Sequence, residues 1–399
     1  MVWSVLGGLD YTSGRILIVI ILTRFYPSDT VGMLLFAMAV VTPLSFLINM
    51  ELRSVYVTDT RDTIRPGHCL TLRLISNAVF ISILIVVCVA ASNYWGRQQS
   101  WILLLAGALR AAESWGDIYL GVFQKYEQMR RWAISQTIKT ALILLWVLGI
   151  SLTWGNFPAV LAGWAVGTLG VIFFYDRTWA SQLVSVQPLW DRAMLGRLFR
   201  AGAVLGAFVV LSVMNHHVAQ YFIKHELNYA SVAYFGILMM YVGGLATIQN
   251  GINQAVLWRL SRYYVENRRR FRPLVVKLLG WTWLVMICGL AVVHWQGEAI
   301  LRLLHGAEYA QHASLFVLVL IACGFMLTGM ILGDAVIATG RFKSRLIAVA
   351  TGLAVNAILC GLMIPPHGLT AAAWAAIVSS AVTASFCAAV LIGFTRRRK

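Results

Sequence analysis

Arg110, Glu113 and Asp117 stand at i, i+3 and i+7 in the otherwise apolar stretch WILLLAGALRAAESWGDIYLGVF. On a helix these three side chains share one stripe, which Gln124 extends by two further turns. A second unusual pair, Asp10 and Arg15, interrupts the apolar run VWSVLGGLDYTSGRILIVIILTRF near the start of the chain. Five residues on a helix is roughly 140° of rotation, so Asp10 and Arg15 cannot pair with each other in the usual i,i+4 manner. A charge at the centre of a membrane costs about 2.5–3.5 kcal/mol on insertion scales, so each of these groups must face a partner or a cavity. Arg110 can pair with Glu113 or Asp117, which leaves at least one carboxylate for Arg15. Two chemistries fit. The charges form either an internal salt-bridge network that only holds helices together, or a cationic wall that receives an anionic ligand.

Other polar groups are spaced in the same way. Ser212, His216 and Gln220 share a face of a later apolar run, with Asn215 and His217 beside them. Adjacent histidines point to different faces, which disfavours a shared metal and favours a pore-lining or interhelical hydrogen-bonding role. Gly243, Thr247, Asn250 and Gln254 form a stripe on the next run, flanked by Gln249 and Asn253, so this segment should line water or a partner helix. Asp334 lies deep in another run, and Asn49, Glu51 and Arg53 close the second.

The elements that carry these groups are long apolar segments. Of the 399 residues, 60% are hydrophobic and 12% charged, about half the charged share of a soluble protein. Runs long enough to cross a bilayer occur at about 3–23, 32–50, 70–92, 100–123, 133–153, 158–176, 198–222, 230–255, 274–294, 312–335, 345–364 and 369–394. The fold class predicted is an all-α polytopic membrane protein with twelve transmembrane helices. Of the 32 Lys and Arg, 26 fall on alternate connections and the tail, four (Arg24, Arg97, Lys224, Arg302) on the opposite side, and Arg15 and Arg110 within spans. This asymmetry predicts that both termini are cytoplasmic. It also accounts for the net charge of +17 without nucleic acid as a partner, since the bases lie in short loops rather than on one folded face.

The connections are too short for a soluble catalytic domain, and no HExxH, GxSxG, P-loop or Rossmann glycine pattern occurs, so no enzyme activity or cofactor is expected. The six cysteines lack metal-ligand spacing and read as inert thiols. No basic n-region precedes the first apolar run, so no signal peptide is predicted. The connection after the sixth run contains LWDRAMLGRLFRAG, which reads as an amphipathic helix on the inner surface. It divides the chain into a six-helix lobe over 1–176, a linker over 177–197 and a second six-helix lobe with a basic tail over 198–399.

Three stretches carry a family resemblance. LTRFYPSDTVGMLLFAMAVVTPLSFLINMELRSVYVTD resembles the first two helices of bacterial polysaccharide flippases, at Arg24, Phe25, Pro27, Gly32, Asn49, Leu52 and Arg53. LLHGAEYAQHASLFVLVLIACG looks like the G-x-E-Y-x-x-A segment of that family, at Gly306, Glu308 and Tyr309, with Ala313 one place beyond the motif's Ala. GLAVNAILCGLMIPPHGLTAAAWAAIVSS is similar to its last two helices, with Asn356 followed by Ile-Pro and then a Gly before an Ala-rich helix. Together they cover about a fifth of the chain, in the family's order.

The family belongs to the multidrug/oligosaccharidyl-lipid/polysaccharide exporter superfamily. The resemblance implies two six-helix lobes around a central cavity, alternating access, and a location in the bacterial cytoplasmic membrane. It implies a polyprenyl-diphosphate-linked oligosaccharide as substrate, of O-antigen type or another surface polysaccharide, with membrane lipids, a polysaccharide polymerase and a chain-length regulator as partners. On that basis Arg15, Arg110 and Arg53 are expected to attract the diphosphate. Asn215, His216, Asn250 and Asn253 would take sugar hydroxyls. Asp10, Glu113, Asp117 and Asp334 would balance charge or carry a coupling proton. Two alternatives stay open: a drug or small-cation antiporter of the same superfamily, disfavoured by two intramembrane arginines, and a multi-pass polysaccharide polymerase, disfavoured by the lack of a large outer loop.

Overall fold

A computed structural model describes the backbone of residues 2–59, 61–153, 155–266 and 268–396. The side chains of 2, 4–11, 91–95, 204–205, 268 and 394–396 lie outside the described set, and Asp10 is among them. The described residues are helical nearly throughout. The elements are α1 (Val2–Phe25), α2 (Ser28–Asn49), α3 (Leu52–Val57), α4 (Pro66–Lys125), α5 (Met129–Thr153), α6 (Phe157–Val171), a π-helical turn (Ile172–Asp176), α7 (Arg177–Ser181), α8 (Arg192–Glu226), α9 (Tyr229–Glu266), α10 (Arg268–His305), α11 (Ala307–Ala310), α12 (Ala313–Ala338), α13 (Phe342–His367) and α14 (Leu369–Arg396).

Among the described residues, ten helices are long and apolar enough to cross a membrane. The other two expected spans are helical at their expected places. They are α1 and the second half of α4, the segments that carry the intramembrane charges. The third and fourth spans are less separate than their sequence suggests. They join into one element that breaks only at Gly96, whose φ of 77° and ψ of 162° no other residue type adopts readily. Several helices run past the expected ends, α9 to Glu266 and α10 back to Arg268, so the basic connection between them is itself helical. The stretch expected as a separate amphipathic helix is irregular over 182–191, and its helical part from Arg192 continues directly into α8.

The chain forms two compact units, Met1–Val213 and Met214–Lys399. In the first, α1 packs on α5, α2 and α3 on α4, and α6 on α4 and α5. In the second, α12 is central and packs on α9, α10 and α14, while α14 also covers α13. Five of the six cysteines are buried and unbridged, and Cys288 is exposed.

Candidate functional site

The charged residues of the first unit assemble on α4. Glu113 accepts from Arg15 of α1 at 2.6 Å and from Arg110 at 2.8 Å, one guanidinium on each carboxylate oxygen. One turn on, Asp117 holds Arg53 of α3 at 3.0 Å and Arg73, in the first half of α4, at 3.5 Å. Among the described residues, two acids thus serve four arginines. Arg53 also donates to Gln124 Oε1 through Nη2 at 2.8 Å, so the predicted extension of the stripe to Gln124 is part of the same ladder. The ladder is open in part. The side chains of Arg15, Arg53 and Asp117 retain 31%, 25% and 34% of their exposure, whereas Arg73 retains 1% and donates to the Asn49 carbonyl at 2.9 Å.

Local backbone features place each cation. Gly14 precedes Arg15, and a Cβ there would stand 2.3 Å from Thr140 Cγ2, so only glycine lets α1 lie this close to α5. Met50 and Glu51 have φ of 52° and 47°, two left-handed residues in succession that end α2 and re-aim the chain as α3. Gly202 of α8 sits on this break, where a Cβ would be 2.4 Å from the Met50 carbonyl oxygen. The break is what turns Arg53 toward Asp117. Beneath it, Ser114 donates to Asn49 Oδ1 at 2.6 Å.

The pairing differs from the one open to sequence. Arg110 and Arg15 share Glu113, and Asp117 is taken by two arginines expected in or beside a connection. Arg73 and Lys139, both counted with the connections, are buried inside helices. Lys139 meets Asp176 of the π-helical turn at 2.5 Å, with Asp176 fully buried. No spacing signal links these two, because they lie on different helices.

In the second unit, Asn356 of α13 donates to the carbonyl and to Oδ1 of Asn215, each at 3.0 Å. Asn215, His216, Asn356, Ser379 and Ser380 line a small cavity with Cys323, Met239 and Met326. The α9 stripe divides cleanly. Gly243, Thr247, Asn250 and Gln254 are exposed, whereas Gln249 and Asn253 are buried in a directed chain. Thr282 donates to Gln249 at 3.1 Å, Gln249 to Asn253 at 2.7 Å, and Asn253 to Asp334 at 2.7 Å. The amide of Asn253 is therefore committed to Asp334, whereas Asn250 and Gln254 are left open. In the G-x-E-Y-x-x-A segment, Gly306 turns with φ 102°, Glu308 accepts from the Tyr234 hydroxyl, and Tyr309 is buried.

This arrangement of helices is shared with solved membrane transporters of the multidrug/oligosaccharidyl-lipid/polysaccharide (MOP) superfamily. The chain superposes on a lipid II flippase, MurJ, in its inward closed conformation, with a TM-score of 0.77 at 11% identity over 98% of this chain and 88% of that one. A multidrug resistance MATE transporter of the superfamily, inward-facing, gives 0.67 at 13% identity over 100% and 96%. A MOP transporter from Pyrococcus furiosus gives 0.66 at 14% over 99% and 94%. By sequence, the capsular polysaccharide biosynthesis protein CapF of Staphylococcus aureus is 23% identical over 374 residues, 92% of each chain. No family model matches the chain. The resemblance carried by the three motifs is borne out by these likenesses, and the proteins concerned are a flippase, transporters and a capsular polysaccharide biosynthesis protein. The chain is a multi-pass membrane protein.

Proposed function

We propose that this chain is a flippase that moves a polyprenyl-diphosphate-linked oligosaccharide from the inner to the outer leaflet of the bacterial cytoplasmic membrane, by alternating access, for surface polysaccharide synthesis. The observation that carries the reading is the ladder on α4. Among the described residues, four guanidinium groups meet two carboxylates, an excess of positive charge on a stripe that is partly open. A diphosphate is the ligand class that such an excess suits, because arginine offers paired donors to phosphate oxygens. In this reading all twelve helical segments cross, both ends are cytoplasmic as the distribution of Lys and Arg requires, and the lobes are 1–176 and 198–399 joined by 177–197.

Arg15, Arg53 and Arg110 hold the diphosphate, and the prenyl chain stays in lipid. Asn215, His216 and Asn250 face sugar hydroxyls, with Asn253 holding Asp334 in place. Glu113 and Asp117 keep the arginines apart until substrate replaces them. An anion leaving an inside-negative cell gains about 2.3 kcal/mol per charge for each 100 mV, so the potential alone can drive export. A polysaccharide polymerase and a chain-length regulator act on the product.

The test is Arg15→Ala and Arg53→Ala, with surface polysaccharide and protein amount measured together. Loss of display at normal protein amount, with lipid-linked units accumulating inside, is the expected result. Normal display in both variants refutes the diphosphate cradle. Transport retained after the potential is collapsed, with ion gradients kept, refutes the potential-driven step.

A further inference from the structure

The corner where α9 meets α10 holds a concentration of cations that the ladder does not use. Arg259 and Arg262 stand near the end of α9, and Arg269, Arg270, Arg272 and Lys277 on the first turns of α10, all of them exposed. Among the described residues only Arg262 has a carboxylate partner, Glu266 at 2.6 Å. In the first unit, by contrast, Arg53, Arg73, Lys125 and Lys139 each meet an acid.

The first turns of α10 have two faces. Phe271 and Val275 are buried against Leu260, Ile331, Leu332 and Ala335, and Phe271 meets Tyr264 of α9 edge-on at 5.7 Å. The opposite face carries the cations. Beyond Lys277, residues 278–297 hold no Asp, Glu, Lys or Arg, and on a helix they span about 30 Å, the thickness of a hydrocarbon core. Most exposed residues there are apolar, from Trp281 at 60% through Val285 and Val292 to Trp295 at 80%, and the polar ones, His294 and Gln296, flank Trp295 at the far end. Charge returns only with Glu298 and Arg302, paired at 2.5 Å. The lipid-facing strip of α10 is thus framed by two tryptophans, as at a membrane boundary. The free cations sit just past one frame, at the level of headgroups, together with Trp258, which is 66% exposed.

We propose that this corner is a binding site for anionic phospholipid headgroups, with lipid phosphates bridging Arg269, Arg270, Arg272 and Lys277 of α10 and Arg259 of α9. The occupant follows from position and charge. The cations continue the same helix side as the lipid-facing strip, so the anions nearest to them are those of the bilayer. A cluster of basic residues beside a span attracts such lipids by several-fold per residue. The assignment holds whichever side of the membrane the corner occupies, and it does not depend on the flippase reading.

The experiment uses the full chain purified in neutral detergent, mixed with phosphatidylglycerol or phosphatidylcholine, with retained lipid counted by native mass spectrometry. The expected result is retention of phosphatidylglycerol over phosphatidylcholine by about tenfold, falling to parity in R269A/R270A/R272A/K277A and preserved in R269K/R270K/R272K. Salt at about 0.5 M should strip phosphatidylglycerol from the unaltered protein, which keeps the test intact if the alanine variant fails to fold. Equal retention of the two lipids by the unaltered protein overturns the proposal, as does a preference that survives salt or the four alanines. Selective retention of a polyprenyl diphosphate without phosphatidylglycerol also overturns it, because the patch would then be a substrate-capture surface.

Discussion

Arg15 on α1 donates to Glu113 on α4 at 2.6 Å, joining two helices whose paired residues lie 98 positions apart in the chain. The other oxygen of the same carboxylate takes Arg110 at 2.8 Å. Glu113 is therefore the pivot of the upper half of the ladder.

Glu113→Gln removes the charge and keeps the shape. Both guanidinium groups then face each other across a neutral amide. A fully buried pair broken in this way costs about 3–5 kcal/mol, and the partial exposure of Arg15 reduces that to about 1–3 kcal/mol. Thermal unfolding in detergent should show the loss, and adding Arg110→Gln should recover part of it. Strict additivity of the two changes in a double-mutant cycle would contradict the shared pairing.

Arg53 and Arg73 hold the same carboxylate but should behave differently. Arg73 is almost fully buried and also ties the end of α2 through the Asn49 carbonyl, so Arg73→Ala removes both contacts and, with Asp117 34% exposed and still held by Arg53, costs about 1–3 kcal/mol. Arg53→Ala should cost less than about 1 kcal/mol of stability and yet reduce polysaccharide display at least tenfold. Tm and display measured on the same two variants separate them, and a drop in Tm for Arg53→Ala as large as that for Arg73→Ala would refute the division.

Lys139 and Asp176 form a buried pair at 2.5 Å with no surface role assigned. Asp176→Asn strands an ammonium group inside the protein and should cost about 3–5 kcal/mol. The double change Lys139→Met with Asp176→Leu should fall within about 1 kcal/mol of the parent, because packed apolar groups replace both charges. Transport by the double variant near the parental rate is the expected readout of a purely structural pair.

Asp59, in the connection between α3 and α4, accepts from the backbone N–H of Ile64 at 2.7 Å and of Arg61 at 3.2 Å. Its carboxyl is held below the ordinary carboxylate range, chiefly by the Ile64 N–H, with smaller help from Arg61, Thr63 and Lys125. A depressed folded value means the contribution is full above the unfolded pKa and is lost as pH falls through the folded one. The connection should therefore keep its order at neutral pH and loosen only on the acid side of about pH 4. Hydrogen exchange of residues 61–65 followed against pH checks this, and Asp59→Asn should exchange fast at every pH.

Much of this protein could be read before its structure. The expected spans are helical where their apolar runs lie, because bilayer-length hydrophobicity is a local property. The α4 stripe was equally legible, since i, i+3 and i+7 share a face on any helix. Gln249 and Asn253 show where that reasoning stops. Both belong to a polar stretch of α9, and their spacing sets them on a face beside that of Asn250 without showing which of the two faces is buried. Packing of α9 on α10 and α12 buries the first two beside Thr282 and Asp334 and leaves Asn250 open.

Arg73 and Lys139 show the same limit in the other sense. Each stands near the end of an apolar run and counts, by composition, among the bases of a connection. Each is buried because a distant acid waits at its depth, Asp117 for one and Asp176 for the other. Composition and period determined that this chain crosses membranes repeatedly and carries charge on α4. Which arginine met which acid, and how much positive charge stayed open, was decided only in the folded protein. Ion pairs form across helices, and the turn at Met50 and Glu51 and the close approach at Gly14 set their partners in three dimensions.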